Sequence, residues 1–299
     1  MHMLIRAALA VVLSLAAACT SGPRPETVLA SGQAGPSSLA SDGTYLYWTN
    51  RTGGEVMRLA LAGGTPERQA SGQSQPQGIA LSSTNLYWAN RGGQAVMKAP
   101  LAGGDPSPVA TGQADPEDVA VAGGFVFWSN GSATMMKAPV SSGTASAVSD
   151  QTSGPGDLAT NATHVFWTNS DGTVRRAPLA GGAEELLAHG DQNATSLALD
   201  ETHVYWTTFW GSINRVPLAG GTVEKLAEGE SHPRSIALDG SFIYWAAGSK
   251  DGTIRRMARS GGKPETFAAE QAEPTGIIVD SGNLYWVNEA GGTVVRAPR

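Results

Sequence analysis

An aromatic residue followed by tryptophan occurs seven times along the chain: Tyr47-Trp48, Tyr87-Trp88, Phe127-Trp128, Phe166-Trp167, Tyr205-Trp206, Tyr244-Trp245 and Tyr285-Trp286. Successive tryptophans of these pairs are 40, 40, 39, 39, 39 and 41 residues apart. A repeat of this length with short β-rich runs inside it is one supersecondary unit that cannot bury its apolar faces alone. The period therefore predicts an all-β, seven-bladed β-propeller with four-stranded antiparallel blades, spanning residues 26–299 as one domain.

The second unit shows the pattern. Gly78-Ile79-Ala80-Leu81 is a short apolar run, and Asn85-Leu86-Tyr87-Trp88-Ala89-Asn90 is a second strand after a Ser-Ser-Thr turn. Ala95 to Leu101 forms a third strand, and Ser107-Pro108-Val109-Ala110 is a more polar fourth. Gly, Asn and Ser between the runs mark hairpin turns. Leu86, Tyr87 and Trp88 place bulk on both faces of the pleat, as a sheet sandwiched between two others requires. The polar fourth strand suits an outer edge, where proline is tolerated.

The last unit has strands at 276–279, 283–287 and 293–298 and then stops at Arg299. Its missing fourth strand is expected from Glu26-Thr27-Val28-Leu29-Ala30-Ser31, which has the fourth-strand pattern and precedes the first complete unit. Joining the chain ends in one sheet would remove exposed edges.

Residues 1–18 read as a targeting segment: one cation in Met1 to Arg6, then apolar residues from Ala7 to Ala18, too few to span a bilayer. Leu15-Ala16-Ala17-Ala18-Cys19 resembles a bacterial lipoprotein signal, with cleavage before Cys19 and lipidation of it. Residues 19–25 then form a linker. Cys19 is the sole cysteine, and acylation removes a thiol that an oxidising compartment would attack. The expected location is extracytoplasmic, anchored to the envelope (the outer membrane in a Gram-negative cell). The only membrane contact is the lipid. Without residues 1–18 the chain carries 19 basic and 26 acidic residues, a net −7 with no basic run. That balance disfavours nucleic acid as a partner.

Tyr47-Trp48-Thr49-Asn50, Phe166-Trp167-Thr168-Asn169 and Tyr285-Trp286-Val287-Asn288 resemble the Tyr-Trp-Thr-Asp repeat of lipoprotein-receptor propellers. The stretch from Thr173 to Gly182 is similar to the strand and turn that follow in that family. The chain departs in reading as seven blades instead of six and in carrying Asn for Asp. The resemblance implies an extracytoplasmic interaction module and nothing about chemistry; separately, the expected partner is an envelope protein or a small extracytoplasmic ligand, and the expected state is a monomer.

Candidate contacts come from loops on one face, between second and third strands and between consecutive blades. Asn50, Asn90, Asn130, Asn169 and Asn288 follow second strands and are read as turn residues. Blade five breaks that rule with Thr208-Phe209-Trp210-Gly211, and Trp210 is the one tryptophan out of period. Adjacent aromatics in a surface loop are candidate ligand anchors. Blade six departs with a loop expected to be lengthened at Ala247 to Asp251, which carries Lys250. A recurring loop proline is followed by Glu117 and Asp118 in blade three, Gly156 and Asp157 in blade four, and Arg234 in blade six. The ligand-binding candidates are Phe209, Trp210, His232, Arg234, Lys250 and Glu117. Asp118 and Asp157, with Asn130 and Asn169 nearby, are candidates for a hard cation such as Ca2+; otherwise no cofactor is expected.

The third strands carry Arg58, Lys98, Lys137, Arg176, Arg215, Arg256 and Arg296, a sevenfold feature expected to be structural. His164 and His203 stand where other units have Tyr45, Phe125 or Phe242, and are expected to pack. In repeat shape the chain also resembles the streptogramin lyases, which place His directly after the loop proline. Here His232 precedes Pro233, so the main expectation is a binding or scaffolding module. The alternatives are a channel-mouth lyase or lactonase and a purely structural envelope protein.

Overall fold

The computed structural model describes residues 25–299 apart from 132, 142 and 151. Cys19, the leader and most of the linker lie outside the described residues. The described chain is all-β: 28 strands in seven four-stranded antiparallel sheets. In chain order the blades open with inner strands Pro36–Ser41, Pro76–Leu81, Pro116–Ala122, Pro155–Thr160, Ala194–Leu199, Ser235–Leu238 and Pro274–Val279. Each inner strand contacts the inner strand of the next blade, and the seventh closes on the first. The ring is a seven-bladed β-propeller.

The fourth strand of blade seven is Thr27–Ala30, antiparallel to Thr293–Pro298 with Thr27 opposite Arg296 and Val28 opposite Val295. Two chain ends thus share one sheet, as the missing strand required. The recurrent proline, expected in a loop, is instead the first residue of most inner strands. Its absent N–H costs nothing there, since the strand begins at that point.

All seven periodic tryptophans have no exposed surface. Each cluster joins two blades: Trp88 packs with Tyr47, Val56 and Ile79, and Trp167 packs with Phe127, Met135 and Leu158. Sheet-on-sheet burial of large aromatics is the main stabilising term, at about 25 cal/mol per Å2 of apolar surface removed from water.

Polar contacts bolt one blade to the next. The third-strand cations Arg58, Lys98, Lys137, Arg176, Arg215 and Arg296 donate to main-chain oxygens of Leu101, Val140, Leu179, Leu218, Arg259 and Leu61 respectively, each in the following blade. The seventh, Arg256, lies over the Phe242 ring at 4.5 Å and pairs with Glu265 at 2.5 Å, so the recurrence is structural. His164 and His203 lie 6.1 and 6.0 Å from Phe166 and Tyr205, matching the 6.2 Å between Tyr45 and Tyr47. They are strand-start packing residues.

Candidate functional site

The inner strands surround a polar cavity of about 260 Å3 at the channel mouth. Its lining includes Glu117, Asp118, Asp157, Ser196, Arg234 and Ser235. The position two after each proline faces the axis, and in four blades it caps the next blade. Asp118 accepts from the Leu158 N–H at 3.1 Å, Asp157 from the Leu197 N–H at 2.8 Å, Ser196 Oγ from the Ile236 N–H at 3.3 Å, and Ser235 Oγ from the Ile277 N–H at 3.2 Å. Each inner strand is the channel-side edge of its blade and is hydrogen-bonded to a neighbouring strand on one side only, so these N–H groups have no ladder partner. Gly78 occupies the same position in blade two, where a Cβ would fall 2.1 Å from Asp118 Oδ1. A side chain there would displace Asp118.

Asp118 and Asp157 share a hydrogen bond, and Asp157 also accepts from the Ser196 hydroxyl. Asp118 is half-buried, with part of it lining the channel mouth. Burial, and next the charge of Asp157, pushes the Asp118 carboxyl well above the usual carboxylate range. Of the two carboxyls, Asp118 is the one held toward its protonated form. Asn130 and Asn169, expected beside them, turn elsewhere: Asn169 donates to Thr173 Oγ1 at 2.8 Å and Asn130 to Thr134 Oγ1 at 3.0 Å. Among the described residues no three His, Cys, Asp or Glu side chains gather as a metal site.

Charge pairs fringe the mouth. Glu117 lies 3.5 Å from Arg91, and its carboxyl is pushed up by burial against the opposing pull of that guanidinium. Arg234 pairs with Glu273 at 2.8 Å and stands 3.7 Å from Glu289, which also pairs with Arg51. Arg51, Arg91 and Arg234 are thus matched locally by carboxylates. Lys250 is exposed in the loop at residues 248–251. By pairing, five residues separate Ala247 from its partner Thr253, against four between Asn50 and Glu55, Asn90 and Ala95, and Asn288 and Thr293, so the expected lengthening is present and amounts to one residue. The extra residue is Gly252, which pairs with Gln271 of the fourth strand and has no partner on the second.

Phe209, Trp210 and His232 do come together. Phe209 lies edge-on to Trp210 with ring centroids 5.2 Å apart, and 4.7 Å from the His232 ring. Trp210 is 68% exposed and Phe209 43%. The loop is held on both sides. Phe209 N–H donates to Asn193 O at 2.8 Å, and Glu230 N–H to Gly211 O at 3.1 Å. Gly211 has φ +99° and a Cβ on it would meet Glu230 O at 2.2 Å, so only glycine fits that contact. The aromatic strip lies on the loop face, in blades five and six, while Glu117, Asp118 and Asp157 belong to blades three and four. Arg234 lines the cavity and follows His232 by two residues, linking the two regions in sequence.

The asparagines after the second strands are not turn residues. Asn50, Asn90, Asn130 and Asn288 are buried, and each donates to a glutamine that also accepts from the preceding tryptophan: Gln33, Gln73, Gln113 and Gln271. Trp128 Nε1, for example, donates to Gln113 Oε1 at 2.9 Å. Sequence reasoning missed these glutamines although each lies 15 residues before its tryptophan. In blade six Glu230 takes the place and pairs with Arg255 at 3.0 Å. In blades four and five the position holds Thr152 and Asp191, and the Nε1 groups of Trp167 and Trp206 have no partner among the described residues.

The chain matches no protein-family model and no curated protein. Several solved structures share its fold. The selenomethionine form of virginiamycin B lyase from Staphylococcus aureus is 14% identical with a TM-score of 0.77, over 92% of this chain and 98% of that one. The WD40 β-propeller domain of Doa1 is 14% identical with a TM-score of 0.78, over 92% and 97%. The nidogen/laminin complex is more distant, at 17% identity and a TM-score of 0.56, over 85% and 88%. At these identities the likeness establishes the propeller fold, which both an enzyme and an interaction domain use.

Proposed function

We propose that this chain is an extracytoplasmic interaction module, held at the cell envelope by lipid on Cys19, that engages an envelope protein or small ligand through its loop face at blades five and six. One observation carries the reading: Trp210 is 68% exposed while the seven periodic tryptophans are fully buried. Leaving a large aromatic in water forgoes about 1.5–3 kcal/mol of burial, which a binding surface recovers on contact. Phe209 and His232 extend the aromatic contact, and Arg234, Lys250 and Glu117 offer polar ones on the same face. The Tyr-Trp-Thr-Asn repeats, which resemble those of lipoprotein-receptor propellers, agree with such a role. The role calls for no cofactor, and a hard cation at Asp118 and Asp157 would need oxygen ligands beyond those two.

The lyase reading would use His232 as a base. Its ring instead lies against Phe209, 4.7 Å away between centroids, and no carboxylate is hydrogen-bonded to it among the described residues. Affinity capture from an envelope fraction, with the chain and with Trp210→Ala as baits, tests the module. Specific capture lost in the variant is expected; identical capture by both baits contradicts it. Turnover of quinupristin abolished by His232→Ala would replace the module with an enzyme.

A further inference from the structure

The loop-face reading leaves open what lies against Trp210, and the surroundings of that ring narrow the choice. Val28 and Leu186, the other exposed large hydrophobics among the described residues, are on fourth strands of blades seven and four, away from the strip. Trp210 and Phe209, with the His232 ring against Phe209, therefore form a small aromatic spot, and apolar contact there is limited to the span of two or three rings. A protein interface of ordinary size buries about 800 Å2 on each side and surrounds its anchors with further contacts. A single flat ligand matches the spot better.

Charge narrows it further. Asp191 hydrogen-bonds Ser212, two residues beyond Trp210, and forms an ion pair with Lys225 at 3.0 Å. Both ions of the pair remain accessible to solvent, presenting a donor and an acceptor side by side with no net charge. Such a fringe favours neither an anion nor a cation; it suits a neutral ligand with hydroxyl or amide groups at its edge and C–H groups on its face. The loop is also held at Asn193 and Glu230, so little ordering entropy opposes contact.

We infer that the Trp210–Phe209 strip, with the Asp191–Lys225 pair beside it, is a binding site for a neutral saccharide ring stacked on the Trp210 face. This rests on the loop-face reading and names its ligand class. The hydroxyls or acetamido groups of the sugar are shared between the Asp191 carboxylate and the Lys225 ammonium. A one-ring contact of this kind binds weakly, with a Kd on the order of 1 mM.

The test uses the full chain and chitotetraose as the probe. Trp210 is the accessible tryptophan, so saturable protection of its emission from acrylamide is expected, together with a calorimetric titration that Trp210→Ala abolishes. Phe209→Ala keeps the reporter and should weaken protection by removing the ring that props Trp210. Absence of protection by chitotetraose overturns the saccharide site. Protection by phosphatidylglycerol vesicles in place of the sugar also overturns it and assigns the strip to a membrane surface. If the sugar fails while capture of a defined envelope protein still depends on Trp210, the saccharide is wrong and the interaction module stands.

Discussion

A carboxyl group removed from water beside a second carboxylate holds its proton to higher pH than usual, and Asp118 is in that position against Asp157. Its folded pKa lies above the value of about 3.9 expected for the unfolded chain. The folded protein therefore binds a proton that the unfolded chain releases as pH rises above that value, and stability falls across that interval. Asn at 118 keeps an acceptor for the Leu158 N–H and a donor toward Asp157 without the proton demand. Asp118→Asn is expected to raise the melting temperature relative to the parent at pH 8, with a smaller difference at pH 4. A difference that is larger at pH 4 would show that Asp118 is not held toward its protonated form. The carboxylates were legible in the sequence because they follow the loop prolines by a fixed step. Their work in capping the next blade was not, since the N–H groups they accept from lie 40 residues further along the chain.

At the scale of the strand, the closing contact is short: four residues, Thr27–Ala30, complete blade seven. Ala30 is buried and Leu29 partly so, in a cluster with Leu39, Trp48 and Tyr285 that also joins blades seven and one. Deleting residues up to Ser31 removes about 3 kcal/mol of apolar burial and leaves a third strand as an open edge. The expected result is a melting temperature lower by about 5–10 °C, whereas a deletion that stops at Pro25 leaves it unchanged. Equal melting of both truncations would contradict closure by this strand. The period, the four strands and this closure could be read directly because strand pairing and burial are local and repeat in every unit. Gln33, Gln73, Gln113 and Gln271 could not, because the Trp and Asn that each one serves lie 15 and 17 residues away, across a blade boundary. The asparagines at 50, 90, 130 and 288 were misread for the same reason: their glutamine partners come from the chain leading in from the preceding blade.

Across the whole molecule, the repeat supplies stability and the departures from it supply the candidate surface. Seven aromatic-Trp pairs are consumed by packing between blades, and the charges at the channel mouth are largely paired with one another. Blade five is the exception, since its loop carries Phe209 and Trp210 outward on a backbone hydrogen-bonded at both sides. The sequence showed Trp210 to be out of period. It could not show that His232, from the next interblade loop, would lie against Phe209. One measurement tests both halves of this account together: acrylamide quenching of tryptophan emission in the parent and in Trp210→Ala. A closed ring with one outward anchor gives a minor, red-shifted, quenchable component in the parent, and emission almost refractory to quenching in the variant. Emission that remains readily quenched after Trp210 is removed would mean that the periodic tryptophans reach solvent, which contradicts the closed ring and the singular place of Trp210 in it.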